Sequence, residues 1–186
     1  PAELIAQSCR KAIPGLEVII ADDSGNEVPR GETGEIWVRG YGVMLGYLDD
    51  AEATAEAIDT DGWLHTGDVG EMDEDGYVRI TDRKKDMYIS GGFNCYPAEI
   101  EKLLCDHPSV EMVAVIGIPD ERMGEIGQAF VVPRPGQTPN QSEIIDWARE
   151  NMANYKIPRH VTIVDALPTN ASGKVLKTEL RDRMLE

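Results

Sequence analysis

The stretch Asp82-Arg83-Lys84-Lys85-Asp86-Met87-Tyr88-Ile89-Ser90-Gly91-Gly92 divides the chain into two textures. Before it, short apolar or alternating runs are bounded by turn residues. Leu16 to Ile20 reads as a strand that runs into the turn cluster Asp22-Asp23-Ser24-Gly25-Asn26. In Glu35-Ile36-Trp37-Val38-Arg39, Ile36 and Val38 alternate with the other three, the pattern of a half-exposed strand. Tyr77 to Ile80 follows Asp73-Glu74-Asp75-Gly76, whose Asp-Gly marks a hairpin turn. Ala51 to Ile58, rich in Ala and Glu, is the helical candidate here. After the dividing stretch, strands and helices alternate. Asp86 to Ile89 reads as a short strand ending at Ser90-Gly91-Gly92, and Pro97 opens a helix through Cys105 with Ile100, Leu103 and Leu104 on one face. Val110 to Ile118 and Gln128 to Val132 read as apolar strands, followed by a helix over Glu143 to Met152 capped by Ser142, with Ile144, Ile145, Trp147 and Ala148 to pack. His160 to Val164 is the last strand expected and Lys177 to Met184 the last helix. A mostly β first part and an α+β or α/β second part follow, with the boundary near Arg83-Lys84-Lys85.

Composition narrows the partners. The 34 acidic residues outnumber the 18 basic ones, for a formal net charge of -16. Such a surface repels phosphate backbones and anionic headgroups, so no nucleic acid or membrane partner is expected, although a few local cations can still hold a small anion. Apolar runs such as Met112 to Ile116 fall far short of the ~20 residues of a spanning helix. With 18 glycines and 11 prolines, many turns are expected rather than a helical bundle. Cys9, Cys95 and Cys105 are odd in number and lack a Cys-x-x-Cys pair, which argues against a disulfide framework and a zinc site. That cysteine usage makes a reducing cytoplasm the expected location; no basic-then-apolar signal peptide is seen, and Pro1-Ala2-Glu3-Leu4, without an initiator methionine, reads as the start of a fragment.

Several short patterns carry chemistry or imitate it. Ser172-Gly173-Lys174 resembles the tail of a P-loop, but Pro168 stands where that motif needs Gly and Val175 where it needs Ser or Thr. What remains is a lysine on a flexible loop, suited to a phosphate or carboxylate or simply solvated. Gly40-Tyr41-Gly42-Val43-Met44-Leu45-Gly46 has the wrong glycine spacing for a dinucleotide loop. Glu71, Asp73, Asp75, Gly76 and Asp82 fall at calcium-loop spacing, yet strands flank them where helices should, and a solvated hairpin tip is the plainer reading. In Trp63-Leu64-His65-Thr66-Gly67-Asp68 the carboxylate of Asp68, set in a loop after Gly67, offers two oxygens to a pair of vicinal hydroxyls; an ordinary Gly-Asp turn is the alternative. Arg83, Lys84 and Lys85 form a dense basic cluster that reads as an anion patch or a charged linker. Ser90-Gly91-Gly92 reads as a bare-backbone wall of a narrow channel or as a hairpin loop. His65, His107 and His160 are scattered without metal-ligand spacing, so no metal site is expected. Asn170-Ala171-Ser172 is a glycosylation sequon without a secretion signal to give it meaning.

Taken together, the pieces resemble the C-terminal part of adenylate-forming enzymes of the acyl-CoA synthetase and ligase branch. The resemblance rests on Gly31-Glu32-Thr33-Gly34-Glu35-Ile36, Gly46-Tyr47-Leu48, Gly62 to Asp68, Asp82 to Asn94 with Tyr96 to Glu101, and Leu167 to Val175, in that order along nearly the whole chain. It implies an α+β fold: residues 1–84 as the β-rich closing lobe of a large domain, residues 85–186 as a mobile C-terminal domain, and a hinge at Lys85. It implies further that Asp68 holds the ribose hydroxyls of ATP and the acyl-adenylate, that Arg83 sits beside ribose and phosphate, and that Lys174 is the catalytic cation between a carboxylate and the α-phosphate. Ser90, Gly91 and Gly92 would then line the pantetheine tunnel for CoA. A positioned lysine offsets the charge crowded together when carboxylate attacks phosphate.

The same resemblance implies a small-molecule carboxylic acid, ATP with Mg2+ and CoA as the ligands of a fatty-acyl-CoA ligase-like enzyme. Its phosphate loop, Mg2+-binding segment and acyl pocket would lie upstream in a missing N-terminal domain. The fragment alone is therefore expected to be inactive. A carrier-dependent adenylation domain would continue past the last helix, which favours free CoA. The alternatives are an adenylation domain with a different acceptor and a non-catalytic binding module.

Overall fold

The computed structural model describes residues 11–184, and Cys9 lies outside them. The chain forms two compact units, Pro1–Lys85 and Asp86–Glu186.

The first unit is an antiparallel meander of β1 (Leu16–Ala21), β2 (Thr33–Gly40), β3 (Leu64–Met72) and β4 (Val78–Arg83), in that spatial order. Ile20, Ile36, Met72 and Val78 form its buried cluster, with Val18, Val28 and Val38 packed against it. The register sets Ile20 opposite Ile36 and Met72 opposite Val78, so cross-strand pairs build this small core. Between β2 and β3 lies α1 (Ala51–Ala57), which starts where the Asp50 carboxylate accepts the Ala53 N–H at 2.9 Å. Simple alternation in β2 fails at Glu35, which is 8% exposed like its apolar neighbour Ile36. The expected loop over Trp63 to Asp68 is also overturned. Leu64 to Asp68 is the first half of β3, paired to β2 through Trp37–His65 and to β4 through Asp68–Arg83. Gly-Asp signals a turn locally, but two flanking strands claim this backbone; register shifts at Glu35/Trp37 and Val69/Gly70 absorb the irregularity.

The second unit holds β5 (Tyr88–Ser90), β6 (Phe93–Cys95), β7 (Val110–Asp120), β8 (Gly124–Pro133) and β9 (His160–Ile163) in one sheet. Its order is β6-β5-β8-β7, with β9 running parallel beside β8. The fold class is α+β, with antiparallel pairing everywhere except β8–β9. Side chains alternate across the pleat, and both faces are covered. Val113, Val115, Ala129 and Val131 pack with Ile100 and Leu104 of α2 (Pro97–Cys105) and Ile144 and Ala148 of α3 (Gln141–Asn151). Ala114, Ile116 and Phe130 meet Leu167 and Leu180, the latter on α4 (Lys177–Asp182).

Three local expectations change here. A 3-10 turn, Lys84–Asp86, delays the first strand to Tyr88. The α3 cap is Asn140, whose Oδ1 accepts the Glu143 N–H at 3.0 Å and the Ser142 hydroxyl at 2.6 Å, so Ser142 supports the cap instead of forming it. α4 ends at Asp182, two residues short of Met184. Among the described residues no helix is long and apolar enough to cross a membrane.

Candidate active-site elements

In the first unit, Asp68 and Arg83 stand opposite each other on β3 and β4, with Arg83 Nε donating to Asp68 Oδ1 at 2.6 Å. The Asp68 backbone is fixed from behind. Its N–H donates to Thr66 Oγ1 at 3.1 Å, and the Thr66 hydroxyl donates to the Ile36 carbonyl at 2.7 Å. An open, largely apolar groove of about 250 Å³ runs past Val18, Ile36, Val38, Thr66, Asp68 and Ile80. A carboxylate with several lone pairs, a forked guanidinium and an apolar wall together suit a sugar hydroxyl pair and a nearby anion.

Behind this pair sits Glu35, which sequence reasoning turned toward solvent. Its Oε1 accepts the Gly67 N–H at 3.0 Å and its Oε2 the Lys84 ammonium at 3.1 Å, while Lys84 also reaches Asp23 at 3.2 Å. Burial pushes the Glu35 carboxyl up. The Trp37 indole N–H beside it (not a well-formed hydrogen bond), the Lys84 ammonium and the Gly67 N–H outweigh that and hold it below the ordinary value. Of the basic cluster, Arg83 and Lys84 are thus engaged by carboxylates, and Lys85 is exposed. The calcium spacing falls along a hairpin in which Arg79 pairs with Glu71 across β3–β4. No group of three or more His, Cys, Asp or Glu that could hold a metal occurs among the described residues.

In the second unit, Lys174 is exposed beside the Thr169–Val175 bridge that closes a small hairpin. Three residues on, Lys177 pairs with Glu101 Oε1 at 2.8 Å, and that oxygen also accepts the Val115 N–H at 2.7 Å. The strand leaving Lys174 is thereby fastened to α2 and β7. Ser90-Gly91-Gly92 lies at the β5–β6 turn, where Gly91 and Gly92 have φ of 58° and 85°. Ser90 is 3% exposed, and the Gly91 N–H donates to the Met123 carbonyl at 2.8 Å. A Cβ at Gly92 would meet nothing within 4 Å, whereas one at Gly91 would stand 2.6 Å from Met123 Cε, so the turn offers uncovered backbone at Gly92 and is covered at Gly91. Cys95 is buried and Cys105 half-buried, both as free thiols pushed up by burial.

Known proteins share this sequence and fold. A family model described as AMP-binding enzyme matches residues 2–48, and one described as AMP-binding enzyme C-terminal domain matches residues 99–174. A 3-[(3aS,4S,7aS)-7a-methyl-1,5-dioxo-octahydro-1H-inden-4-yl]propanoyl:CoA ligase of Rhodococcus jostii (strain RHA1) is 56% identical over 178 residues, which is 96% of this chain and 33% of that protein. The structure of ATP-bound MatB from Rhodopseudomonas palustris is similar with a TM-score of 0.88 at 40% identity, over 95% of this chain and 35% of that one. The amide bond synthetase McbA from Marinactinospora thermotolerans has a TM-score of 0.85 at 39% identity, over 98% of this chain and 37% of that one. The chain spans about a third of the length of the curated relatives it matches.

Proposed function

The chain belongs to the adenylate-forming, AMP-binding enzyme superfamily and carries its C-terminal portion; from that premise we propose that it works as part of an ATP-dependent acyl-CoA ligase. The carboxylate oxygen of the acid attacks the α-phosphorus of ATP and pyrophosphate leaves. The CoA thiol then attacks the acyl carbon, and AMP leaves. The observation that carries this reading is the Asp68–Arg83 pair, a carboxylate and a guanidinium side by side at 2.6 Å, with Asp68 lining an apolar groove.

Asp68 accepts hydrogen bonds from the ribose hydroxyls, and Arg83 lies along ribose and phosphate. Lys174 places its ammonium between the attacking carboxylate and the α-phosphate. There it offsets charge that is most concentrated in the transition state. Lys85, the last residue of the first unit, serves as the pivot that lets one polypeptide present different surfaces in the two half-reactions. Gly92 lets the pantetheine arm pass close to backbone. The Mg2+ that accompanies ATP neutralises triphosphate charge. Acid, ATP and CoA are the small-molecule partners, and the protein works in the cytoplasm.

The test uses the full-length ligase bearing these residues. Lys174→Ala lowers acid-dependent ATP–pyrophosphate exchange by about 10²–10³-fold, the range for losing one preorganised charge-stabilising group. Thioester formation from supplied acyl-AMP stays near wild type, and equal loss of both steps overturns the role. A second reading, adenylation with an acceptor other than CoA, is favoured by the likeness to an amide bond synthetase. Supplying amines in place of CoA separates the two.

A further inference from the structure

Four loops among the described residues are built on one five-residue frame: Asp22 to Asn26, Asp59 to Trp63, Asp73 to Tyr77 and Asn170 to Lys174. In each, the first carbonyl accepts the N–H of a glycine in fourth place, at 3.0, 3.1, 3.0 and 2.9 Å in chain order. The first N–H donates to the fifth carbonyl at 2.9, 3.0, 3.0 and 2.9 Å. The first side chain's Oδ1 accepts the fifth N–H at 2.9, 2.9, 2.8 and 2.9 Å. Gly25, Gly62, Gly76 and Gly173 have φ of 83°, 82°, 81° and 82°, the left-handed value that closes such a loop. Asp and Asn therefore do the same geometric work at the head of this frame.

The loops differ in charge. Three are headed by Asp and end in Asn26, Trp63 or Tyr77, none of them charged; the fourth is headed by Asn170 and ends in Lys174. In that loop Asn170 Oδ1 accepts from the Ser172 N–H at 3.0 Å, the Ser172 hydroxyl at 2.8 Å and the Lys174 N–H at 2.9 Å. The Lys174 backbone is set by these bonds together with the Asn170 N–H to Lys174 carbonyl bond and the Thr169–Val175 bridge, while Lys174 itself is exposed. An Asp in place of Asn170 would make the same bonds and add a carboxylate beside the lysine. That carboxylate would be a built-in counter-ion for the ammonium and would repel an approaching phosphate or carboxylate.

We propose that Asn170 is a positioning residue for Lys174 whose neutrality is functional: it fixes the loop as Asp does in the sister loops while leaving the ammonium its full charge for an anionic ligand. The proposal rests on the role given to Lys174 above, and it extends that role to the residue whose side chain accepts the Lys174 N–H.

Two variants separate geometry from charge. In the 186-residue chain, amide hydrogen exchange reads the frame: Asn170→Asp keeps the Lys174 N–H protected, and Asn170→Ala exposes it. In the full-length ligase at low salt, Asn170→Asp lowers acid-dependent ATP–pyrophosphate exchange by about tenfold, the scale of one added charge at close range. Part of that returns as salt shortens the screening length from about 30 Å to about 8 Å. Thioester formation from supplied acyl-AMP is unchanged. Asn170→Ala also slows the exchange, without recovery in salt. The proposal is overturned if Asn170→Asp loses the amide protection, if its exchange rate stays within about twofold of wild type, or if both half-reactions fall together. Lys174→Ala in the same assays keeps the two ideas apart. If it fails to split the half-reactions, the role of Lys174 is wrong; if it splits them and Asn170→Asp does not, only the role of Asn170 is wrong.

Discussion

Glu35 ties the backbone next to Asp68 to the lysine next to Arg83 through its two carboxylate oxygens. Its carboxyl is held below the ordinary carboxylate value, so folding favours the ionised form. A group depressed in the folded state contributes stability above its unfolded pKa and loses it as the pH falls through the folded value. Unfolding of the first unit by urea, followed from about pH 5 to about pH 3, is expected to show a falling midpoint that Glu35→Gln flattens. At neutral pH that substitution costs about 1–2 kcal/mol, a modest value because Lys84 is 44% exposed and partly screened. A slope unchanged by Glu35→Gln would remove Glu35 from the account. Nothing in Glu35-Ile36-Trp37 announces this role. Alternation sends Glu35 outward, and its partners Gly67 and Lys84 are distant in sequence.

Among the elements, β7 and β8 carry a slot that periodicity does not reveal. Gly117 and Gly127 face each other across the pair, and the Tyr88 side chain from β5 crosses that gap. A Cβ on Gly127 would stand 2.5 Å from the Tyr88 hydroxyl, and Tyr88 is 1% exposed. Gly127→Ala is accordingly expected to destabilise the second unit by about 1–3 kcal/mol through overpacking, measured as a lower urea midpoint at unchanged slope. Wild-type stability in this variant would mean that the slot is not tight. Other elements were open to reading from local signals. Pro97 and the Ile100, Leu103 and Leu104 face set α2 at Pro97–Cys105, as expected. The β3 strand escaped because Gly67-Asp68 mimics a turn, and only pairing with β2 and β4 makes it extended.

At the scale of the molecule, residues 99–174, which match the AMP-binding enzyme C-terminal domain, lie in the second unit, and Asp68 and Arg83 lie in the first. The relatives are about three times as long. The 186-residue chain, given ATP, Mg2+, a carboxylic acid and CoA, is therefore expected to release neither AMP nor pyrophosphate. Release of both would show that the described units suffice. Class, family and candidate residues were legible along the chain because they rest on local chemistry: turn residues, apolar periods, and short ordered motifs around Asp68, Arg83 and Lys174. Folding added the company these residues keep. Glu35 behind Asp68 and Tyr88 between two glycines depend on close approach of segments distant in the chain, and no pattern of neighbouring letters encodes distance in space.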